Sequence, residues 1–524
     1  MSALPHSRPR ANPPAHPAAA APQGRPPWRG VLAAVDIGSN SFRLELGQML
    51  HGEYRRIDYL KETVRLGAGL DAQSRLTDAA VQRGLDCLAR FRQRLDGIPP
   101  QQLRAVATQT LREATNRNAF LARAESALGH SIEVISGREE ARLIYKGVAR
   151  LQPSQRPRLV VDIGGRSTEM ILGLGTAPLR AESFGVGSVS LSTRYFPDGR
   201  FSEAGFRAAQ VAAGAELEEA LQPFARGHWE EALGSSGTAG AVSEVLAAAG
   251  ITDGTITPEG LRWCIRECLG AGRADALVLP GLKPERRAVL PGGLAILYTL
   301  AMHFGIESLK PTRGALRQGV IFDLEERLAA LRHPDHHDLR DDSVAELQQR
   351  FAVDVSQAHR VQNTALRLFD QLGGKALNTA EARRELGWGA ALHEIGMMVS
   401  HHDHHRHSAY LLGHVDAPGF SQNQQRRLGD LVLGQRGGLR KIEATLQGDA
   451  TLAQQVLCLR LAVVLCHARG ELADDAVRLA ASGTRVQLAL PPQWGQTHPR
   501  TLHLLNEEVQ AWARVATLTL QLPG

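Results

Sequence analysis

The chain has 524 residues, of which 43% are hydrophobic and 22% are charged. This length predicts three or four domains, and this composition excludes a wholly disordered protein. The formal net charge is +6, and all but six of the 60 basic residues are Arg, whose guanidinium forms paired hydrogen bonds with phosphate oxygens. An anionic partner is therefore permitted, although genomic codon bias is the simpler source of the Arg excess.

The sequence also bears on where the protein works. No stretch of about 18 uncharged apolar residues occurs, so no transmembrane segment is predicted. The five Cys show neither a metal-binding nor a disulfide spacing, which favours a reducing cytoplasm. Peripheral association with a membrane is left open.

Residues 1–29 are rich in Pro, Ala and Arg and lack the apolar core of a signal peptide, so a disordered tail is predicted. The pattern changes at Val31, where VLAAVDIG and then RLELGQML predict two strands joined as a hairpin. Farther along, helical periodicity predicts two helices, over 76–96 and 118–128. Apolar runs predict two strands, over 104–108 and 131–136.

The segment RLVVDIGGRSTEMILGLG (158–175) repeats the opening hairpin without a gap, at a constant offset of 126 residues. Identical residues occupy several equivalent positions, including Asp36 and Asp162. The repeat predicts two similar mixed α/β lobes, which span 30–150 and 151–325.

Beyond about residue 326 the sequence becomes mainly helical in pattern. The polar stretch 333–342 contains Pro and predicts a linker. Helices are predicted over 343–372, 379–399 and 451–468. Two strands are predicted after them, over 486–492 and 516–522. We therefore predict a C-terminal region over 335–524, with a small unit at its end.

Both copies of the repeat end a strand with Asp-x-Gly-(Ser/Gly)-x-Ser. Such a turn exposes backbone N–H groups and Ser hydroxyls that can cradle phosphate oxygens, and its Asp can hold Mg²⁺ or position a water. Two equivalent loops predict a cleft with phosphate loops on both sides. A third turn, LGSSGTAGAV (233–242), precedes a helix predicted to begin near Ala241. It is either another anion site or a flexible helix cap.

These three loops, in this order, resemble the superfamily of actin, sugar kinases and heat-shock chaperone ATPases. More specific segments are similar to the exopolyphosphatase/guanosine pentaphosphate phosphohydrolase family: ATQTLREATN (107–116), ISGREEARLIYKGV (135–148), GALRQGVIFD (314–323), LHEIG (392–396) and HRHSAYLL (405–412). The resemblance covers residues 30–522. It implies an α/β fold with two actin-like (ribonuclease H-like) lobes and a duplicated phosphate-binding hairpin. It also implies a mainly α-helical, HD-like C-terminal region that ends in a small α+β unit.

The resemblance also implies roles for individual residues. Glu140, the second residue of a Glu pair, matches the family's catalytic base. A carboxylate can deprotonate water for attack on a terminal phosphoryl group. The alternative is that the two Glu residues are simply solvated at a helix start, as paired Glu commonly are. Asp162 and Glu169 match positions that handle Mg²⁺ and water, and a monovalent cation is left open as an additional cofactor. The phosphate-binding positions are Asp36, Gly38, Ser39, Asn40, Ser41, Arg43, Arg112, Gly164, Gly165, Ser167, Thr168, Ser236, Gly237 and Thr238.

Two residues depart from the family pattern. Arg166 stands where a small residue is usual, so its side chain either adds a phosphate contact or crowds the second loop. Gln318 replaces the usual Glu of the LREG segment.

The His-rich stretch 401–407, together with His359 and His393, is typical of a metal site. Glu394 follows His393 where a metal-dependent HD enzyme needs Asp, and no second Asp is evident. We therefore expect a degenerate HD-like region without metal, which serves dimerisation and the binding of a long anionic chain.

The leading functional prediction is an exopolyphosphatase that removes terminal phosphates processively from inorganic polyphosphate, with Mg²⁺ and water activated by Glu140. The alternative within the family is hydrolysis of guanosine pentaphosphate, because the two activities share these motifs. An actin-like ATPase or sugar kinase, and a non-catalytic sensor, are more distant alternatives. A homodimer that binds no nucleic acid is expected.

Overall fold

A computed structural model describes residues 30–50, 52–333, 336–373, 377–470 and 477–522. The tail predicted over 1–29 lies outside these ranges. Among the helices within them, none combines the length and the apolar character needed to cross a bilayer.

The first lobe is built on a five-stranded mixed sheet. Three strands form an antiparallel meander, and two further strands run parallel to the first. The strands are β1 (Val31–Ile37), β2 (Phe42–Leu50), β3 (Glu53–Glu62), β4 (Leu103–Ala107) and β5 (Ile132–Val134), in the sheet order β3-β2-β1-β4-β5. Every residue of β1 is buried, which explains why its sequence is a nearly continuous apolar run rather than an alternating pattern.

The second lobe repeats this connectivity. Its strands are β6 (Arg158–Ile163), β7 (Thr168–Leu174), β8 (Ala177–Phe184), β9 (Glu231–Ser235) and β10 (Leu309–Pro311), in the order β10-β9-β6-β7-β8. Again three strands form a meander, and the other two run parallel to the first. The predicted duplication of an α/β lobe and its opening hairpin is confirmed, and phosphate binding by the hairpin loops stays a prediction.

Helices cover both sheets and join them. They are α1 (Asp78–Arg94), α2 (Gln109–Glu113), α3 (Arg117–Leu128), α4 (Gly137–Leu151), α5 (Ser188–Tyr195), α6 (Glu203–Leu217), α7 (Ser236–Ala248), α8 (Pro258–Ala271), α9 (Leu290–Phe304) and α10 (Leu316–Arg332). Helices α4 and α10 pack against each other, and their apolar side chains share one buried core with β1 of the first lobe and β6 of the second. This shared core fixes the two lobes around the loops at the ends of β1 and β6.

The C-terminal region is mainly helical and ends in a small α+β unit, as predicted. Its elements are α11 (Leu339–Arg350), α12 (Val355–Gln371), α13 (Leu377–Ala391), α14 (His404–His414), α15 (Gln422–Gly434), α16 (Glu443–Gly448), α17 (Ala450–Leu465), α18 (Trp494–Thr497) and α19 (Pro499–Val515), with the strands β11 (Arg478–Ser482), β12 (Arg485–Ala489) and β13 (Thr519–Gln521). One hydrophobic core runs through the helices and the three-stranded sheet. The HD-like character of this region stays a prediction.

Two local predictions in this region were wrong. Helix α11 begins at Leu339, inside the predicted linker, because the Asp338 carboxylate accepts a hydrogen bond from the Arg340 N–H and caps the helix. The predicted helix over 343–372 is two helices, α11 and α12. The chain turns at Ala352, whose φ is +49°, and the Asp354 side chain caps α12.

Candidate active site

A cavity of about 290 Å³ lies where the ends of β1 and β6 meet the start of α7. Most of the predicted site residues line it: Asp36, Gly38, Ser39, Asn40, Ser41, Arg43, Glu140, Asp162, Gly164, Gly165, Ser167, Ser236, Gly237 and Thr238. Three predicted residues, Arg112, Thr168 and Glu169, lie behind the cavity wall rather than on it. The chain thus gathers residues from three separate motifs around one cavity.

The first two loops face each other directly across this cavity. A Cβ atom added to Gly165 in the second loop would lie 3.2 Å from the Ser39 Cβ in the first. Within each loop the backbone turns tightly, so a Cβ at Gly38 or Gly164 would lie 3.0 or 3.1 Å from the carbonyl oxygen three residues ahead. Glycine at these positions permits this close approach, and the Gly164 N–H donates to the Ser167 carbonyl at 2.9 Å within the second loop.

The third glycine-rich segment is part of a helix. Helix α7 begins at Ser236, five residues before the predicted start near Ala241. The hydroxyls of Ser236 and Thr238 both donate to the Ile163 carbonyl, at 3.0 and 2.9 Å, and so tie the helix start to the end of β6. The unpaired N–H groups of the first helical turn consequently border the cavity, an arrangement that suits an anion.

Glu140 occupies the first turn of α4 and is buried. Ser136 caps this helix by accepting a hydrogen bond from the Glu139 N–H. Arg112 donates to the Glu140 carboxylate at 2.8 Å from Nη1. Burial raises the pKa of Glu140 to about 7, against the opposing effect of Arg112, and the negative charges of Asp36 and Asp162 add to the increase. A carboxyl group with a pKa near neutrality is suited to act as a general base.

The two hairpins differ in charge at one equivalent position. In the first, Asp36 pairs across the strands with Arg43, and their side chains form an ion pair at 2.9 Å. In the second, Asp162 pairs across the strands with Glu169. Burial raises the pKa of Asp162, and burial with the charges of Glu140 and Asp162 holds the pKa of Glu169 well above its usual value. The second hairpin therefore has two buried carboxyl groups where the first has an ion pair, and their environment favours the protonated form of each.

Positive charge also lines the cavity. Lys61, Arg286 and Arg313 line it, and within the described ranges no carboxylate lies within 4 Å of their charged groups. The Arg286 guanidinium covers the start of α7, where a Cβ at Gly237 would lie 2.0 Å from its Nη2. Burial and the neighbouring cations Arg286 and Arg43 lower the pKa of Lys61 to about 8.

Sequence analysis assigned no role to Lys61, Arg286 or Arg313. They lie on β3, in the turn before α9 and after β10, outside the glycine motifs. The sequence carries no local signal for them, because each reaches the cavity only through tertiary folding.

Several predicted residues are engaged within the protein. Arg112 donates to Gln109 and to the Ile135 carbonyl in addition to the Glu140 carboxylate. Its predicted contact with phosphate therefore stays a prediction. The Thr168 hydroxyl donates to the Val186 carbonyl at 2.6 Å. Its contact with phosphate therefore stays a prediction too.

Both departures from the family pattern have structural partners. Arg166 donates to Glu113 of α2, which ties the second loop to the first lobe, and Arg166 is not among the residues that line the cavity. The Gln318 amide donates to both carboxylate oxygens of Glu45, at 2.6 and 2.8 Å, and its oxygen accepts from the Ala315 N–H. A Glu at position 318 would place two carboxylates together, whereas the neutral amide satisfies Glu45.

The carboxylates near the cavity fit Mg²⁺ only in part. Among the described residues, no three His, Cys, Asp or Glu side chains converge as a complete metal site. Mg²⁺ usually takes one or two carboxylates and completes its shell with water and substrate phosphate. Asp36 and Asp162, which line the cavity, fit that requirement, and Glu169 lies behind Asp162 with its carboxylate accepting from Ser183.

The His-rich stretch 401–407 lies just before and at the start of α14, and none of its residues lines the cavity. His404 and His405 are buried with their rings 6.2 Å apart, and burial lowers the pKa of each to about 4. The His393 ring bonds to the Ala390 carbonyl at 2.7 Å, and His359 is exposed. The absence of metal at these residues stays a prediction.

Two similar lobes with glycine-rich loops around one cavity define an actin-like fold. A sequence model of the Ppx/GppA phosphatase family matches residues 50–328. A second family model, described as Ppx/GppA phosphatase, domain III, matches residues 339–509. A guanosine-5'-triphosphate,3'-diphosphate pyrophosphatase from Photobacterium profundum is 36% identical, and one from Aeromonas hydrophila is 37% identical. Each alignment covers 92% of this chain and 96% of the relative. The chain belongs to the Ppx/GppA phosphatase family.

Structural similarity supports the fold. An exopolyphosphatase structure from Cytophaga hutchinsonii superposes with a TM-score of 0.52 at 22% identity, covering 56% of this chain and 98% of that one. The functional prediction of an exopolyphosphatase was wrong, because the full-length relatives have the name of the nucleotide hydrolase. The motifs could not decide between the two activities, since the resemblance assigned the same loops and the same Glu to both.

Proposed function

We propose that this protein hydrolyses the 5'-terminal phosphoanhydride bond of guanosine 5'-triphosphate 3'-diphosphate. The products are orthophosphate and guanosine 5'-diphosphate 3'-diphosphate. At the coarser level, the protein is a hydrolase of phosphoanhydride bonds. Support for the particular substrate comes from the relatives with this name, which align with nearly the whole chain.

The observation that carries the proposal is the composition of one cavity. A Glu140 carboxyl with a pKa of about 7 borders the same space as two glycine loops, a helix start and three cations without a carboxylate partner. Backbone N–H groups and cations stabilise the charge on a phosphate chain, and the carboxylate takes up a proton from water. A nucleotide with phosphates at both its 5' and 3' positions suits a cavity with so much positive charge.

The reaction follows from these positions. The terminal phosphoryl group lies between the loops of Gly38 and Gly164, and water lies between that group and Glu140. The oxygen of the water bonds to the terminal phosphorus while Glu140 accepts a proton from that water. At the same time, the bond from the phosphorus to the bridging oxygen breaks. The leaving oxygen remains on the shortened nucleotide. Mg²⁺ held by Asp36 or Asp162 would neutralise charge on the phosphates.

Phosphate release from three substrates tests the proposal. The purified protein is assayed with Mg²⁺ on guanosine 5'-triphosphate 3'-diphosphate, on long-chain polyphosphate and on ATP. We expect the highest kcat/KM for the first, and we expect Glu140→Gln to lower kcat by roughly 100- to 10,000-fold. Glu346→Gln is the matched control, because Glu346 is exposed on α11. Preference for polyphosphate or ATP, or normal turnover by Glu140→Gln, would contradict the proposal.

Other properties stay predictions. The five Cys are buried free thiols, which is compatible with a reducing cytoplasm. The Mg²⁺ requirement, the additional monovalent cation and the homodimer are proposals. Loss of turnover on chelation tests the first, and sedimentation of the purified protein tests the last.

A further inference from the structure

Glu139, the partner of Glu140 in the sequence pair, has no part in the proposed reaction. Its side chain is only 3% exposed and points away from the cavity that Glu140 borders. Arg142, one turn along α4, donates to both of its carboxylate oxygens, at 2.7 and 2.8 Å. A buried carboxylate is costly unless it is fully bonded, so these contacts hold the first turn of α4 in one arrangement.

A third donor to Glu139 comes from the C-terminal region. The backbone N–H of Gly419 donates to Oε2 of Glu139 at 3.0 Å. On the other side of the same residue, the Gly419 carbonyl accepts from Arg327 of α10. Both peptide groups flanking Gly419 are thus bonded to the lobes, so the loop 416–420 is seated on the start of α4.

Gly419 is required for this seat. Its φ is +88°, which disfavours any residue with a side chain, and a Cβ there would lie 2.9 Å from Cγ of Arg340. Gly419 is not among the residues that line the cavity. A substitution at Gly419 therefore displaces the loop without altering the cavity lining itself.

Further contacts converge on the same segment. Arg138, the residue before Glu139, donates to Asp416 in the seated loop at 2.5 Å. Asn423, at the start of α15, accepts from the Val134 N–H and donates to the Ile132 carbonyl, and so completes the edge of β5. The C-terminal region therefore holds the chain from β5 into the first turn of α4.

A buried charge network extends this seat into the lobes. Asp323 of α10 accepts from Arg142, Arg104 and Arg327, each at 2.7 Å. These arginines reach it from α4, β4 and α10, respectively. The position of Glu139 is consequently coupled to both lobes and to the C-terminal region.

We propose that Glu139 is a positioning residue for the catalytic base, and that the seated loop 416–420 of the C-terminal region completes that positioning. When Gly419 donates to Glu139, the first turn of α4 directs the Glu140 carboxylate to the cavity. When the loop is unseated, the turn shifts and Glu140 loses its alignment with water. The proposal rests on the proposed role of Glu140 as the base.

Glu139→Gln tests the proposal, because an amide cannot accept all three of these N–H groups and would turn a donor towards another donor. We expect kcat to fall by about 10- to 100-fold, as misplacement of a catalytic group by about 1 Å does, with KM changed less than about twofold. Gly419→Ala should give the same separation of kcat from KM. Glu346→Gln is again the matched control, and circular dichroism establishes that each variant is folded.

Hydrogen exchange supplies a readout that a general loss of stability would not reproduce. We expect both variants to accelerate exchange at 416–420 and in the first turn of α4 together, with α8 unchanged. A folded Gly419→Ala variant with normal kcat would overturn the proposal, and so would a change in KM alone. If Glu139→Gln does not fold, Gly419→Ala decides. If the unaltered protein hydrolyses no substrate, the proposed function fails instead, so the two failures are distinguishable.

Discussion

The charge state of Glu140 depends on two opposing influences. Burial favours the neutral acid and raises its pKa to about 7, while the Arg112 guanidinium at 2.8 Å favours the carboxylate. The base is active only when deprotonated. Activity should therefore be lost as the pH falls below neutrality, well above the pH at which an ordinary Glu would take up its proton.

Arg112→Gln separates two possible roles of this Arg. If Arg112 sets the charge state of Glu140, its removal raises the pKa of that carboxyl, and the acidic limb of kcat/KM moves to higher pH. The measurement is the pH profile at saturating Mg²⁺, with Arg266→Gln on the exposed face of α8 as the control. A limb that does not move, accompanied by a higher KM, would instead support the predicted phosphate contact.

Site residues were predictable to the extent that they lie in local patterns. The duplicated Asp-x-Gly turns predicted most of the cavity lining between Asp36 and Ser41 and between Asp162 and Ser167, because glycine and hydroxyl residues shape those turns locally. Arg286 and Lys61 were not predictable, since their positions in the cavity depend on packing between distant segments. The same holds for the burial that raises the pKa of Glu140.

At the scale of elements, the placement of Glu140 depends on how closely α4 and α10 cross. A Cβ at Gly319 of α10 would lie 1.8 Å from the Leu143 carbonyl oxygen of α4, and a Cβ at Gly147 would lie 2.4 Å from the Ala315 carbonyl oxygen. Glycine on each helix allows the two backbones to touch. The helix that carries the base is thereby fixed against the shared core of both lobes.

Gly319→Ala should consequently destabilise the protein. A methyl group forced into this contact separates the helices, and such overpacking costs about 1–3 kcal/mol. Urea denaturation monitored by circular dichroism measures the effect. Gly270→Ala, in open space on α8, is the control and should leave stability unchanged or raise it by about 0.5–1 kcal/mol. Equal stabilities of the two variants would contradict the close crossing.

Element boundaries were less predictable than element types. Helix α7 starts at Ser236 rather than near Ala241, because the hydroxyls of Ser236 and Thr238 bond to the end of β6, a tertiary contact. The break between α11 and α12 at Ala352 likewise has no Gly or Pro to mark it. Hydrophobic periodicity locates an element, whereas the contacts of the terminal turn decide where it begins.

At the scale of the whole molecule, the C-terminal region is joined to the catalytic lobes by specific bonds. Gly419 lies 280 residues beyond Glu139 in the chain, yet the two form a hydrogen bond at 3.0 Å. No local pattern in the sequence indicates such a contact. The duplication of the lobes, in contrast, was evident from the sequence, because the repeated hairpins preserve the same spacing of Asp, Gly and Ser.

Hydrolysis in oxygen-18 water tests most directly whether water activated by Glu140 attacks the terminal phosphorus of the nucleotide. The protein is given guanosine 5'-triphosphate 3'-diphosphate for a single turnover, and both products are analysed by mass spectrometry. The account predicts one labelled oxygen in the orthophosphate, none in the nucleotide and equal amounts of the two products. Glu140→Gln should form both products roughly 100- to 10,000-fold more slowly. Label in the nucleotide, or release of pyrophosphate, would contradict it.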